Sequence, residues 1–363
     1  MEKKVNNEKV RIYYLDFLKA IAITLVVFCH YVWIPDNSFW GNVLMLLAWS
    51  AVPCFFMVTG GLMHCMKDFV WKKYIRKILR TYIGLSAWKA IYLICFGGIQ
   101  KRFAASSIVG YLFFFDDLEG INTDSMWFMS AYIAVMIFYP ISYYLIQSAI
   151  GMKLYIYIMI LLLFGGMIIP TLNYWIYYIG KINPFEIPNA SKMLQLNPFG
   201  NYSHMLFYFL LGGIIFKYRN REIEWFKRKK KEWISTSAIL IGLFGLVVAK
   251  YVQTGSLKWM NIYLESGYSH IFTLVLSVGI YFFVMNLKDS QINYKIGKII
   301  GRNTMGIYYM HIPAIYVINQ MVSKAGWEHN SLLSHTIRTV LVVVICSCLT
   351  IFIKKIPVIK RLV

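Results

Sequence analysis

The sequence is poor in charged residues for its length. Asp, Glu, Lys and Arg make up only 15% of the 363 residues, whereas they account for about 25% of an ordinary soluble domain. Hydrophobic residues reach 59% and include 27 Tyr, 25 Phe and 11 Trp, which suits helices with aromatic belts at both bilayer faces. This composition excludes a soluble globular protein and predicts an all-α integral membrane protein.

The sequence also lacks the short motifs that mark several enzyme and metal-binding classes. None of the six cysteines forms a Cys-x-x-Cys pair, and no metal-ligand spacing is present. No Gly-x-Ser-x-Gly, His-Glu-x-x-His or Walker sequence occurs either. We therefore expect unpaired apolar cysteines, no metal site and no permanently bound cofactor.

Acidic residues are scarcer than basic ones. The sequence has 16 Asp and Glu and 37 Lys and Arg, which gives a formal net charge of +21. Such a charge would suit nucleic-acid binding if it lay on one soluble domain. Here the basic residues form short runs between apolar segments, which is typical of cytoplasmic loops beside anionic lipid headgroups. The pattern favours membrane lipids as partners and argues against nucleic acid.

Ten apolar segments approach the roughly 20 residues that a helix needs to cross a bilayer. They are residues 12–33, 40–63, 78–96, 126–147, 154–172, 202–216, 234–252, 269–287, 304–322 and 335–353. No soluble domain, low-complexity tract or internal repeat separates them, so residues 1–363 are predicted to form one polytopic domain. No small-residue cleavage signal follows the first segment, so we expect it to be retained.

The basic residues predict how these ten spans are oriented. With the N-terminus in the cytoplasm, 26 Lys and Arg fall on the cytoplasmic side and only 6 fall in the outer loops. This bias favours an even number of spans in the cell membrane, with both termini cytoplasmic. Two long outer loops, at residues 97–125 and 173–201, are expected to cap a cavity that opens to the outside.

The first predicted span carries Asp16, Lys19 and His30, and ionisable residues inside a bilayer usually mark a functional site. On an ideal helix, Lys19 and His30 lie about 20° apart on one face and about 16 Å apart in depth. Asp16 lies close enough to Lys19 for an ion pair, and the His30 imidazole suits a general base. The alternative is that the ion pair is only structural while His30 lies among the outer headgroups.

Four further residues are candidates for binding, each with a structural alternative. Thr59 precedes two glycines and either lines a cavity or belongs to a helix-packing seam. Arg80 either binds a phosphate or anchors the chain to lipid. Trp127 is either a cavity residue or an interfacial tryptophan, and His311 is either a cavity residue or a hydrogen-bonded core histidine.

The arrangement Arg11-x4-Asp16-x2-Lys19-x10-His30 resembles the opening of the membrane acyltransferase-3 family, in which a basic residue, ten others and a histidine mark the first span. The segment Phe55-Phe-Met-Val-Thr-Gly60 is similar to a Phe-Phe-x-x-Ser/Thr-Gly segment of that family. Ten spans with both ends in the cytoplasm also agree with it, so the resemblance covers nearly the whole chain.

Two later stretches are similar to landmarks of the same family, namely Trp127-Phe-Met before the fourth span and Ile307-Tyr-Tyr-Met-His311 in the ninth. Two departures stand out. Lys19 occupies a position where many relatives carry Arg, so a bidentate interaction with an anionic group is weaker there. The extracellular hydrolase-like domain of some relatives is absent, so transfer would finish within the membrane domain or on a separate partner.

The resemblance implies an O-acyltransferase that moves an acyl group, commonly acetyl, from cytoplasmic acyl-CoA to a hydroxyl of an envelope polysaccharide or lipid-linked sugar. His30 would be the base or acyl carrier, with Asp16 and Lys19 as its catalytic companions. Arg11 and Arg80 would bind the donor. Thr59, Trp127 and His311 would face the acceptor or line the cavity.

The same features leave other functions and partners open. A glycan or small-solute transporter or flippase is the main alternative, because ten spans with intramembrane ionisable residues serve it equally, although no inverted repeat is evident. A small-molecule sensor or a scaffold for a glycan synthase is a further one. The chain would act as a homo-oligomer or beside partners in glycan synthesis.

Overall fold

A computed structural model describes residues 12–31, 37–66, 68–97, 103–114, 116–121, 123–182, 200–225, 228–260, 262–287, 290–326, 331–357 and 359–361. The regular secondary structure of these residues is entirely helical. The helices are α1 (Tyr13–Cys29), α2 (Phe39–Ala48), α3 (Ala51–His64), α4 (Trp71–Gly97), α5 (Ala105–Phe113), α6 (Trp127–Leu145), α7 (Ala149–Leu163), α8 (Ile169–Ile182), α9 (Ser203–Trp225), α10 (Arg228–Thr254), α11 (Ile271–Asn286), α12 (Gln291–Ile296), α13 (Thr304–Lys324) and α14 (Leu332–Ile353). The π-helical turns Phe164–Ile168 and Gly297–Gly301 follow α7 and α12.

Each of the ten predicted spans overlaps a helix, but fewer helices are long and apolar enough to cross a bilayer by themselves. Within the described residues there are six: Phe39–His64, Trp71–Phe96, Trp127–Leu145, Ala149–Lys181, Glu232–Thr254 and Leu332–Ile353. A seventh arises if α11 and the segment Gln291–Gly301, bent by 116° from each other, form one span. The protein is a multi-pass helical membrane protein, and the count of ten stays a prediction.

Helix α1 packs between two hydrophobic cores. Leu15, Leu18 and Ala22 belong to a core built largely on α3, α6, α7, α9 and α11. Ile23 and Val27 belong to a second core built largely on α4, α13 and α14. Helix α1 is therefore an interior helix, and its ionisable residues face other helices, as expected for such groups within a membrane.

Glycines let two helix pairs approach at the backbone level, as small residues do in membrane bundles. A Cβ atom at Gly60 of α3 would collide with the carbonyl of Phe209 on α9. A Cβ atom at Gly301 would collide with the carbonyl of Asp16 on α1. The packing role predicted for the Thr59-Gly-Gly segment thus belongs to its glycines, and the second contact fixes the start of α13 against α1.

Tyrosine hydroxyls compensate for prolines inside two helices. A proline has no N–H, so the carbonyl four residues before it loses its intrahelical partner. Pro313 of α13 removes the intrahelical donor for the Tyr309 carbonyl. That carbonyl instead accepts a 3.0 Å hydrogen bond from the Tyr92 hydroxyl of α4. Pro140 of α6 likewise removes the donor for the Met136 carbonyl, which accepts a hydrogen bond from the Tyr74 hydroxyl. Neighbouring helices therefore supply the donors that a bilayer does not.

A buried lysine anchors the segment before α6. Lys89 of α4 is 5% exposed, and its Nζ donates to the carbonyls of Tyr111 and Asp116 at 2.9 and 3.2 Å. The hydroxyl of Tyr308 on α13 donates at 2.7 Å to the carbonyl of Ser125. These bonds hold the described part of the first long loop over the start of α6. In the second loop, α8 continues to Ile182, and residues 183–199 lie outside the described residues.

Candidate active site

One cavity brings together four of the residues that the sequence singled out. It has a volume of about 170 Å³ and is lined by Lys19 and His30 of α1, Thr59 of α3 and Trp127 of α6. We call it the α1 cavity. Side chains that complete its wall include Ile23, Val26, Cys29, Val52, Phe55, Ser125, Phe128, Tyr132, Tyr268 and Tyr308.

Lys19 and His30 both line the α1 cavity, so they lie on the same side of α1, as their spacing predicts. They are eleven positions apart, which corresponds to about 16 Å along the helix axis. The cavity therefore runs beside α1 with an ammonium group towards one end and an imidazole towards the other. A bound molecule that contacts both residues has to be elongated.

The predicted ion pair between Asp16 and Lys19 is present. Lys19 Nζ lies 2.7 Å from Asp16 Oδ1, and Asp16 is only 7% exposed. The second carboxylate oxygen, Oδ2, faces Arg302 at the start of α13, whose Nε lies 3.4 Å away. Two cations of the described chain thus share one buried carboxylate, and these three side chains together keep a net positive charge next to the α1 cavity.

Arg302 is a site residue that the sequence interpretation misses, because the predicted spans 269–287 and 304–322 place it in a cytoplasmic loop. Its backbone is held by Lys354, whose Nζ donates to the Arg302 carbonyl at 2.9 Å and to Asn303 Oδ1 at 2.7 Å. The sequence signal that points to Arg302 is Gly297-x3-Gly301, which immediately precedes it. Small residues four positions apart indicate a close contact with another helix. That contact is the one with Asp16.

His311 lies beside His30, with ring centroids 5.0 Å apart. It is fully buried on α13 and does not itself line the α1 cavity. Its Nδ1 lies 2.5 Å from the Tyr308 carbonyl oxygen, and its Nε2 has no hydrogen-bond partner. The structure thus brings His311 to the imidazole that faces the cavity, although the two histidines are far apart in sequence.

Aromatic side chains form much of the remaining wall. The rings of Trp127 and Tyr268 lie 5.3 Å apart, and those of Phe128 and Tyr308 lie 5.5 Å apart. Burial raises the pKa of the Tyr268 hydroxyl above its ordinary value, so it stays protonated at neutral pH. Flat apolar faces with a few hydroxyl groups suit a ligand that has both apolar and hydrogen-bonding surfaces.

Two predicted donor-binding residues are not part of this cavity. Arg80 is exposed on α4 and does not line the α1 cavity. Arg11 lies outside the described residues. A separate cavity of about 370 Å³ is lined by Tyr13, Tyr14 and Phe17 of α1 and by residues around α12. Among the described residues, its lining includes no carboxylate, histidine, lysine or arginine.

The cysteines and potential metal ligands add no further site in the described part of the chain. All six cysteines are unpaired. No group of three or more His, Cys, Asp or Glu side chains among the described residues is placed to hold a metal ion. The ionisable groups that the described residues place at or next to the α1 cavity include Lys19, His30, Asp16 and Arg302.

Comparison with known proteins identifies a family for this chain. The family model described as an acyltransferase domain, Acyl_transf_3, matches residues 12–353. No curated protein and no solved structure matches the chain. The matched range contains both histidines of the site and Asp16, Lys19 and Arg302.

Proposed function

The chain belongs to the acyltransferase-3 family, and we propose that it is a membrane O-acyltransferase. In this proposal it moves an acyl group, acetyl in the first instance, from acyl-CoA to a hydroxyl of an envelope polysaccharide or lipid-linked sugar. The observation that carries the proposal is the α1 cavity, which has Lys19 and His30 on one wall. A cation for an anionic donor and a base for a hydroxyl acceptor thus share one cavity.

We propose that the protein crosses the cell membrane ten times with both termini in the cytoplasm. The 26 to 6 distribution of basic residues supports this orientation. The Lys19 end of the α1 cavity then faces the cytoplasm, where acyl-CoA is found, and the His30 end faces outward. The acyl group travels along α1 from the donor side to the acceptor side.

Donor binding is assigned to the positive end of the cavity. Acyl-CoA is polyanionic, and the Asp16 carboxylate is shared between Lys19 and Arg302, so this end attracts anions. The Lys19 ammonium has three donor hydrogens, which leaves hydrogens for the donor after one is directed at Asp16. Arg11 and Arg80 are proposed to contact the donor phosphates at the cytoplasmic surface.

Acyl transfer is assigned to His30. Its imidazole takes the proton of the acceptor hydroxyl while that oxygen attacks the thioester carbonyl carbon. The carbon–oxygen bond forms, the carbon–sulfur bond breaks, and the departing CoA sulfur takes the proton from the imidazolium. In the alternative route the acyl group is first carried on a His30 nitrogen, and both routes need this residue.

Acceptor binding is assigned to Thr59, Trp127 and the aromatic wall. A sugar ring has apolar C–H faces and a rim of hydroxyl groups, and the cavity offers the matching combination of aromatic faces and hydroxyl side chains. The Trp127 and Tyr268 rings, 5.3 Å apart, are the proposed surface for the ring face. The acceptor hydroxyl then points towards His30.

The test compares envelope glycans from cells with and without the protein by mass spectrometry. The proposal expects loss of an acyl group from an otherwise intact glycan, and restoration by the wild-type protein but not by a His30→Ala variant. Loss of the whole polymer would contradict it and favour a transporter or flippase. Restoration by the His30→Ala variant would also contradict it.

A further inference from the structure

The hydrogen bonds of His311 determine which of its nitrogens carries the proton. Nδ1 lies 2.5 Å from the Tyr308 carbonyl oxygen, and a carbonyl oxygen can only accept, so Nδ1 carries the hydrogen. In a neutral imidazole the other nitrogen then has a lone pair and no hydrogen. His311 therefore presents a hydrogen-bond acceptor at Nε2.

This acceptor is buried and unused. His311 is 0% exposed, and Nε2 has no hydrogen-bond partner, whereas buried polar atoms in native proteins nearly always have one. His30 is the neighbouring imidazole, with its ring centroid 5.0 Å away. Because His30 lines the α1 cavity and His311 does not, His311 is the more deeply buried of the two rings.

The separation suits a hydrogen bond between the rings. A nitrogen–nitrogen hydrogen bond of about 2.9 Å, with each nitrogen about 1.1 Å from its ring centre, joins centroids about 5 Å apart. The observed tilt between the rings is 50°. The ring separation therefore suits a bond that forms once an N–H of His30 is directed at His311 Nε2.

We propose that His311 is a positioning residue that accepts an N–H of His30 and thereby selects its tautomer. The second His30 nitrogen then faces the cavity without a proton, ready to take one from the acceptor hydroxyl. When His30 gains that proton, the same hydrogen bond stabilises the imidazolium, since bonds from charged donors are stronger. The proton leaves His30 with the CoA sulfur, so His311 keeps its own proton throughout.

This inference rests on the proposed function for its effect on rate, but the tautomer can be observed without any activity. In protein labelled with 15N-histidine, nitrogen spectra of the wild type should show His30 in one tautomer. His30→Gln identifies the His30 signal by its disappearance. In His311→Leu the two His30 tautomers should become mixed, whereas an unchanged His30 signal in that variant would overturn the proposal.

The rate provides the second readout. For His311→Leu we expect kcat to fall more than about tenfold, with the KM for acyl-CoA changed less than about twofold, because the loss affects proton transfer alone. His311→Gln places an amide oxygen near the Nε2 position and should keep kcat within about threefold of wild type. Equal losses in the Leu and Gln variants would mean that only ring packing matters, and would overturn the proposal.

Combining variants separates this inference from the proposed function. In a His30→Ala background, His311→Leu should lower the residual rate by less than about twofold, because residues that act as a unit are non-additive. A full additional loss would show that His311 acts independently of His30. If the wild-type protein transfers no acyl group, the proposed function fails, while the nitrogen spectra still decide whether His311 positions His30.

Discussion

Arg302 Nε lies 3.4 Å from Asp16 Oδ2, although 286 positions separate the two residues in the chain. Lys19 contacts the other oxygen of the same carboxylate. Among the described residues, Asp16 thus divides its attraction between two cations, Lys19 and Arg302. Arg302 thereby leaves the Lys19 ammonium available to the α1 cavity.

Replacing Arg302 by Gln should weaken donor binding. Asp16 would then attract Lys19 more strongly and withdraw its ammonium from the cavity. We expect the KM for acyl-CoA to rise about tenfold, which corresponds to the ~1.5 kcal/mol of a hydrogen bond to a charged group, while kcat changes less than about threefold. Steady-state kinetics of the purified protein measure both values.

Arg302→Lys and Lys298→Gln are matched controls for this experiment. The first keeps the positive charge at the same position and should retain most of the donor affinity. The second removes an exposed charge from the preceding π-helical turn and should behave as wild type. A wild-type KM in Arg302→Gln would mean that the ion pair with Asp16 has no bearing on the donor.

Replacing His30 by Ala should abolish transfer but leave acyl-CoA binding intact. A positioned acid–base group contributes about 10²- to 10⁴-fold in rate, and the proposed donor contacts at Lys19 lie about 16 Å further along α1. Turnover assays test the loss of transfer, and equilibrium binding of acyl-CoA tests the retained affinity. Cys29→Ala, beside His30 in the same cavity wall, is the control and should keep near-normal turnover.

Replacing Lys19 by Ala should lower the affinity for acyl-CoA. We expect about a tenfold loss, since a charge-assisted contact to the donor disappears, and Arg302 remains to neutralise Asp16. Lys19→Arg should keep donor binding, because guanidinium binds phosphate and carboxylate groups well. Unchanged affinity in Lys19→Ala would indicate that Lys19 serves only as the ion-pair partner of Asp16.

Replacing Gly60 by Ala should destabilise the helix bundle. The added Cβ atom would overlap the carbonyl of Phe209, and overpacking of this kind costs typically about 1–3 kcal/mol. Thermal unfolding in detergent should show a lower Tm. Gly84→Ala is the matched control, because a Cβ atom there meets nothing within 4 Å and alanine favours a helix. Equal Tm values for the two variants would contradict the close contact.

Features that depend on a single helix could be predicted from the sequence. The Asp16–Lys19 ion pair and the common face of Lys19 and His30 follow from the 3.6-residue period of one helix. The general helical membrane class follows from composition, and the family model confirms the family resemblance. Among the described residues, six or seven helical segments are long and apolar enough to be spans, fewer than the ten predicted, because interior helices such as the 17-residue α1 can be shorter and more polar than lipid-facing ones.

Features that depend on contacts between helices could not be predicted in the same way. In the sequence, Arg302 does not differ from the other basic loop residues. Its role depends on the contact between Gly301 and the backbone of Asp16, which only the structure shows. The distance between His30 and His311 depends on how α13 packs against α1, and no local pattern encodes it. Arg80 is the opposite case. Its residue type and its position in the predicted span suggest a phosphate-binding site, but it lies outside the α1 cavity.

The Tyr92 hydroxyl that bonds to the carbonyl exposed by Pro313 belongs to a helix made early in translation. Tyr74 likewise precedes Pro140, the proline whose missing donor it replaces. Chains are synthesised from the N-terminus, so each interrupted helix enters the bilayer after the tyrosine that completes it. An α13 inserted before α4 would leave a bare carbonyl in hydrocarbon, and the order of synthesis avoids this state.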